Sequence, residues 1–545
     1  MTWQELAQRA TNIYDTSLKR TLELFPLDKE AQSALDSLPS ARGKTVEDYG
    51  SPATVPIEVF REKMPEKSLE ITEKDPYLLL QDIKSGKVSC VEVLTAYFHA
   101  AVFASRLVNC VYEFMPEEAL QLAKKLDSGS KDLPLMGLPL SLKEMIPVKG
   151  RAVTHGSLCF LDRVVDYDAD IVNILVAAGA VPFVRTTNPQ SLMMLECESW
   201  THGRTVNPYN SSLTCGGSSG GEGAIQGIGA AAFGLGSDIG GSIRCPSAFN
   251  GIYGLRTTVG RLPSSDFFSC QLGSESILSV TGPMTRSLDL LCLVMRTITA
   301  SAPWLVDPSL YPLPWNPDKK EKLKIGILYD DGVVAPQPPI ARALKMVSDQ
   351  LSKLPNIEVV PFKPYKHEKA WEIITSLYFE DGGADTRSTM EKSGEPMLPQ
   401  TEWILSGKHV KPLQPKDIWH WNLEKGKYRK EYLAHWLSQG APDAVIAPVF
   451  PGPACKPRTS RYWGYTAQWN LLDYPAIAFP VTTVDPQVDV PLKDYQPRNE
   501  MDEFVWKQYD SGESFANAPV SLCAVGLRNT DDLVVKVAKI LREAM

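Results

Sequence analysis

Two serines and a lysine stand out in this chain by the residues around them. Ser218 and Ser219 lie within GGSSGGEGA (residues 216–224), and Ser242 follows two glycines in SDIGGSIR (237–244). Adjacent glycines before a serine can bring successive backbone N–H groups to one point, as an oxyanion hole requires. The same octapeptide also reads as a tight strand-to-helix turn, with Ser242 as a cap and Pro246 in the first helical turn. A serine nucleophile needs a base. Lys143 ends LPLSLK (138–143), where alternation puts Leu138, Leu140 and Leu142 on one face and Ser141 and Lys143 on the other. A lysine at such a position is usually solvated. If it is buried, desolvation disfavours the ammonium and leaves an amine able to act as a base near neutrality.

Other chemistries fit less well. GGSSG formally matches the G-x-S-x-G nucleophile elbow, but that elbow follows a strand, and NPYNSS (207–212) precedes it with loop chemistry. No lysine follows the glycines as in a P-loop. Gly221 and Gly223 are followed by Gly227, one residue late for a dinucleotide fingerprint. His367-Glu368 lacks the second histidine of H-E-x-x-H, and the seven histidines do not cluster with cysteines. Neither cofactor nor metal is expected.

The elements that must position these groups follow from patterning. Eleven glycines fall between Gly216 and Gly241, among Ala224, Ile225, Ile228, Ala230–Ala232, Phe233 and Leu235, so this segment belongs to a core and not to a linker. Helices are predicted over Trp3–Leu24, around Leu78–Ile83, Val91–Phe98 and Pro116–Leu126, and over Asp170–Gly179. Gly137–Lys143 and Val181–Thr186 read as strands, and Asn188-Pro189 as the cap and first position of a further helix. Ser40–Pro56 reads as loose. Alternating strands and helices indicate an α/β architecture. Residues 1–74 are expected to form an N-terminal helical extension and 75–545 one catalytic domain. Six of the twelve tryptophans lie in 403–469. Of the aromatic residues there, Trp463, Tyr465 and Trp469 read either as core or as the wall of a narrow pocket.

Composition narrows the function further. The net charge of −8 argues against nucleic-acid or acidic-membrane binding. The apolar stretch Ile171–Val184 is broken by Asn173 and Pro182, and no run of about 18 apolar residues suggests a membrane span. The ten cysteines are at least 18 residues apart, so reduced, buried thiols are expected. A cytoplasmic location follows as an expectation.

The motifs at 216–224 and 236–244, with GLRTT (254–258), resemble the amidase signature, and further matches flank them. These are GLPLSLKE (137–144), TNPQS (187–191), TVNP (205–208), GPMTRS (282–287) and LDYPA (472–476). The chain is most similar to fungal acetamidases, with a fainter likeness to fatty-acid amide hydrolases. The resemblance implies a large mixed central sheet flanked by helices on both faces, and a Ser–cis-Ser–Lys triad. In that triad Ser242 is the nucleophile, Ser218, after a cis Gly217–Ser218 bond, the bridging hydroxyl, and Lys143 the base. It also implies an oxyanion hole from the N–H groups of Ile239, Gly240, Gly241 and Ser242, with Ser219, Asp238 and Arg244 as braces. Ser237 stands where threonine is common and keeps the hydroxyl. Leu192 stands where some relatives have methionine facing the acyl group, which leaves acyl preference open.

The implied reaction is cleavage of small carboxylic amides through an acyl-enzyme, with carbamates (urethanes), anilides and fatty-acid amides as other candidate substrates. A homodimer is the family-level expectation. Three alternatives compete with this reading. An amidotransferase A-type subunit would need partner subunits and transfer RNA, a histidine-based α/β-hydrolase would use Ser218 or Ser219, and a silent binding protein would not need all three triad positions.

Overall fold

The computed structural model describes residues 1–43, 53–268, 271–317 and 320–545. Much of the Ser40–Pro56 run, residues 44–52, lies outside the described residues. Among the described residues there are thirteen strands: β1 (Val111–Phe114), β2 (Pro139–Lys143), β3 (Val181–Thr186), β4 (Glu198–Ser199), β5 (Gly203–Arg204), β6 (Phe233–Asp238), β7 (Tyr253–Arg256), β8 (Val280–Thr285), β9 (Leu323–Ile327), β10 (Ile357–Pro361), β11 (Ala444–Pro448), β12 (Ala476–Thr483) and β13 (Pro519–Gly526). All but the β4–β5 pair form one eleven-stranded mixed sheet, in the order β1-β3-β2-β6-β8-β7-β12-β13-β11-β9-β10. Helices flank it, as the α/β reading requires.

Parallel pairing sets the chemistry apart from the rest of the sheet. β3, β2 and β6 run parallel as neighbours, so their C-terminal ends, Thr186, Lys143 and Asp238, open at the same edge. Ligands of open α/β sheets bind at such an edge, because loops and side chains converge there. The strand residues Leu140, Leu142, Phe183, Val184, Phe233 and Leu235 are fully buried in one continuous core. The helix Gly220–Ile228 packs across β2, β3 and β6 and is buried along its whole length.

The first 74 residues contribute the helices Trp3–Leu24, Lys29–Ser37, Pro56–Lys63 and Glu66–Glu73. Tyr14, Phe25, Leu35, Ile57 and Phe60 from this region enter the same core as the sheet. The Tyr14 hydroxyl hydrogen-bonds the Ser105 hydroxyl at 2.9 Å.

One expectation changes. Asn188-Pro189 opens no helix. The chain turns there because Ser191 and Leu192 both adopt left-handed backbone (φ +63 and +61), and the Gln190 N–H bonds to the Glu198 carbonyl and not along a helix axis. Among the described residues, Cys90–Val108 and Leu288–Leu305 are long and apolar enough to cross a bilayer by length and composition alone. In this fold Cys90–Val108 is a core helix, capped by Ser89 with Glu92 and ended by left-handed Asn109. The nine described cysteines are free; eight are buried and Cys159 is half-buried, while Cys270 lies outside the described residues.

Two substitutions in the helix Pro415–Ser438 separate core packing from backbone entropy. Trp436 is fully buried and donates to the Pro442 carbonyl at 2.8 Å, so Trp436→Ala is expected to cost about 3–5 kcal/mol. Gly426 has open space where a Cβ would stand, so Gly426→Ala is expected to stabilise by about 0.5–1 kcal/mol. Denaturant unfolding of both variants checks the opposite signs.

Candidate active site

Lys143 leaves the end of β2 and is completely buried. Its Nζ donates to the Ser218 hydroxyl at 2.7 Å and to the Ser237 hydroxyl at 2.9 Å. Among the described residues it makes no ion pair, so its charge has no direct counterion. Burial therefore dominates and lowers its pKa to about 7, against smaller opposing contributions from Cys197, Asp238, Glu222 and Glu144. Ser141, on the same face of β2, donates to the Glu222 carboxylate at 2.7 Å, and Thr186 of β3 donates to the same carboxylate at 2.8 Å. Burial pushes the Glu222 carboxyl up to about 7, while these hydrogen bonds and the Lys143 charge partly offset the rise.

Ser218 lies in the connection that leads into the helix Gly220–Ile228, and the Gly217–Ser218 peptide bond is cis. A side chain at Gly217 would place a Cβ 2.0 Å from the Glu196 carbonyl oxygen, so only glycine fits. Ser219 ties this segment to two others. Its N–H donates to the Ser242 carbonyl at 3.1 Å, and its hydroxyl accepts from the Ser237 N–H at 3.2 Å. The chain around Ser218 is thereby joined to the turn that carries Ser242.

That turn, residues 239–243, is built around Asp238. Its carboxylate accepts from the N–H groups of Gly241 (2.8 Å) and Ile243 (3.1 Å), from Arg244 Nε (3.0 Å) and Nη2 (2.9 Å), and from Asn470 Nδ2 (2.9 Å). Burial alone would raise the Asp238 carboxyl. The Arg244 charge and the hydrogen bonds from Arg244 and Asn470 overrule it and hold the group well below the usual carboxylate range. Gly241 has φ +130, and a Cβ there would fall 2.6 Å from the Thr466 hydroxyl. The N–H groups of Ile239, Gly240 and Ser242 have no hydrogen-bond partner among the described residues. Gly241 corrects the expected set of donors: its N–H is committed to Asp238, so the donors that remain for an oxyanion are those of Ile239, Gly240 and Ser242. Leu192 is half-buried on the loop after β3.

Comparison with known proteins identifies the family. The sequence model of the Amidase family matches residues 92–535. The chain belongs to the amidase family. An amidase-family protein of Schizosaccharomyces pombe is 42% identical over 537 residues, covering 97% of each chain. The acetamidase of Emericella nidulans is 36% identical over 522 residues, covering 91% of this chain and 95% of that one. Among solved structures, a fatty acid amide hydrolase superposes with a TM-score of 0.87 at 31% identity, covering 97% of this chain and 99% of the other. This amidase is accordingly an amide hydrolase.

The structure adds residues that the motifs did not single out. Asn470 both braces Asp238 and accepts from Arg244 Nη2 at 2.6 Å, and the Thr466 carbonyl accepts from Arg244 Nη1 at 2.9 Å. Both lie in the helix Gly464–Leu472, which runs directly into the LDYPA motif at 472–476, so their position was the available signal. Trp463 and Trp469 both belong to the main core and Tyr465 to a satellite cluster with Tyr462 and Val505; Trp463 also stands against Gly240. Removing the Asp238 carboxylate leaves Arg244 buried without its charge partner. Asp238→Ala is expected to cost about 3–5 kcal/mol in urea unfolding. Activity should fall even at temperatures where the variant remains folded.

Proposed function

We propose that the protein hydrolyses small carboxylic amides through an acyl-enzyme on Ser242, with Ser218 as proton relay and Lys143 as base. One observation carries this reading: a fully buried lysine amine, without a counterion, hydrogen-bonded at 2.7 Å to a serine hydroxyl. Neutral Lys143 takes the Ser218 proton while Ser218 takes the proton of Ser242, whose oxygen adds to the carbonyl carbon. The carbonyl oxygen becomes an oxyanion facing the remaining N–H groups of Ile239, Gly240 and Ser242. Collapse of this intermediate breaks the C–N bond, and the proton returns through Ser218 to the departing nitrogen. Water then repeats the sequence on the ester, giving the carboxylic acid and free Ser242.

The preference for small substrates rests on the 36% identity to an acetamidase and on the aromatic side chains near Gly240. Trp463 has ring centroids of Trp371 and Trp403 at 6.1 and 6.0 Å, and Tyr378 at 6.4 Å. Alkyl carbamates present the same carbonyl to the same groups and fall within the proposed range. A panel of acetamide, a long-chain amide, an anilide and ethyl carbamate tests the class. Acetamide is expected to give the largest kcat/KM of the amides, and a tenfold preference for the long chain would overturn the small-substrate reading.

Two measurements test the machinery. Because only the neutral amine accepts a proton, kcat/KM should rise about tenfold per pH unit up to about 7 and then level off. A flat profile from pH 5 to 9 would remove Lys143 as base. The second measurement is stability. Burial lowers the folded-state value of Lys143 below the ordinary lysine value of about 10.4, so the unfolded chain binds the extra proton between those limits. The lysine's penalty to folding is therefore full below about pH 7 and fades toward the ordinary lysine range. Lys143→Met should abolish turnover yet raise Tm most at low pH, with the gain shrinking as pH rises toward 10.

A further inference from the structure

The donors left for an oxyanion are backbone groups, and a backbone N–H points wherever its peptide plane points. In a trans peptide the C=O of one residue and the N–H of the next are opposed, so holding the carbonyl aims the N–H. The Gly241 carbonyl accepts at 2.7 Å from the N–H of Cys245, in the helix Arg244–Phe249, which aims the Ser242 N–H away from that helix. The Ile239 carbonyl has no backbone donor. Its partner is the hydroxyl of Tyr378, at 2.9 Å, 139 residues further along the chain.

We propose that Tyr378 is a positioning residue for catalysis, holding the Ile239–Gly240 peptide so that the Gly240 N–H faces the developing oxyanion. The inference rests on the acyl-enzyme reading above. Tyr378 ends the helix His367–Tyr378 and is buried, and its ring stands 6.4 Å from that of Trp463. A Cβ at Gly240 would lie 2.8 Å from the Tyr378 oxygen and 3.3 Å from Trp463, so the side-chain position of residue 240 is closed off by the groups that steer its amide. Burial pushes the Tyr378 hydroxyl above the ordinary tyrosine value, which keeps it protonated and donating. Nothing else among the described residues bonds the Ile239 carbonyl. Without the hydroxyl, this peptide can rotate and its N–H loses its fixed aim, while Asp238 still holds Gly241 and Ile243.

Tyr378→Phe removes one oxygen and keeps the ring. Turnover of acetamide is measured per serine labelled by a fluorophosphonate, which excludes any misfolded fraction, and the labelled residue is identified by peptide mapping. Inhibition by propanal is measured alongside, because its hemiacetal oxygen would occupy the oxyanion position. Expected for Tyr378→Phe is full labelling of Ser242, a fall in kcat per labelled site of about tenfold or more, KM within about twofold, and weaker propanal inhibition by a similar factor. An unchanged kcat per site, a change confined to KM, or propanal inhibition equal to wild type would overturn the role of Tyr378 and leave the acyl-enzyme reading standing. Failure of the wild-type protein to label at Ser242 would instead overturn the acyl-enzyme reading, and the Tyr378 proposal with it.

Discussion

The Asp238 carboxylate lies where no water reaches it, and everything around it is arranged to keep its charge there. A lone buried carboxylate would take up a proton. This one is held ionised by a two-point pairing with Arg244, an amide from Asn470 and two N–H groups of its own turn. Those contacts close residues 238–244 into a rigid loop, fix which N–H groups of the loop are already used, and leave the others free. They also join the glycine-rich half of the sheet to the helix Gly464–Leu472.

The opposite strategy governs Lys143, which donates to Ser237, the residue before Asp238. Asp238 is surrounded by donors and a cation; among the described residues, Lys143 has only hydroxyl acceptors and no carboxylate in contact. One fold thus keeps a carboxylate charged and lets an amine go neutral, and the difference lies in partners and not in burial, which both share. Glu222, below the same strands, is a third case. It has hydroxyl donors but no cation in contact, and its pKa rises into the range to which that of Lys143 falls.

Much of this was legible in the sequence because it depends on local spacing. Alternation placed Ser141 and Lys143 on one face, and the glycine density marked where backbone must approach backbone, as Gly217 does against Glu196. The motifs also carried the family and with it the mixed sheet. What spacing could not show was how donors are shared out. Gly241 looked equivalent to Gly240 in the octapeptide, and only the fold shows that Asp238 has taken its N–H. Asn188-Pro189 has the residues of a helix start, but tertiary contacts turn the chain at Ser191 and Leu192 instead. Asn470 and Tyr378 were harder to read because their partners lie more than 130 residues away: the adjacent LDYPA motif is the one pointer toward Asn470, and Tyr378 has none.

The order of these parts along the chain bears on synthesis. Lys143, Ser218 and Ser242 all leave the ribosome before residue 250, but Tyr378, Thr466 and Asn470 follow much later. β7 gains its second sheet neighbour only from β12, one of the last two described strands made. A nascent chain therefore carries every proposed reactive group long before it has the braces that aim them. On the proposed mechanism, the contacts that aim the reactive groups are complete only once the C-terminal third has been made.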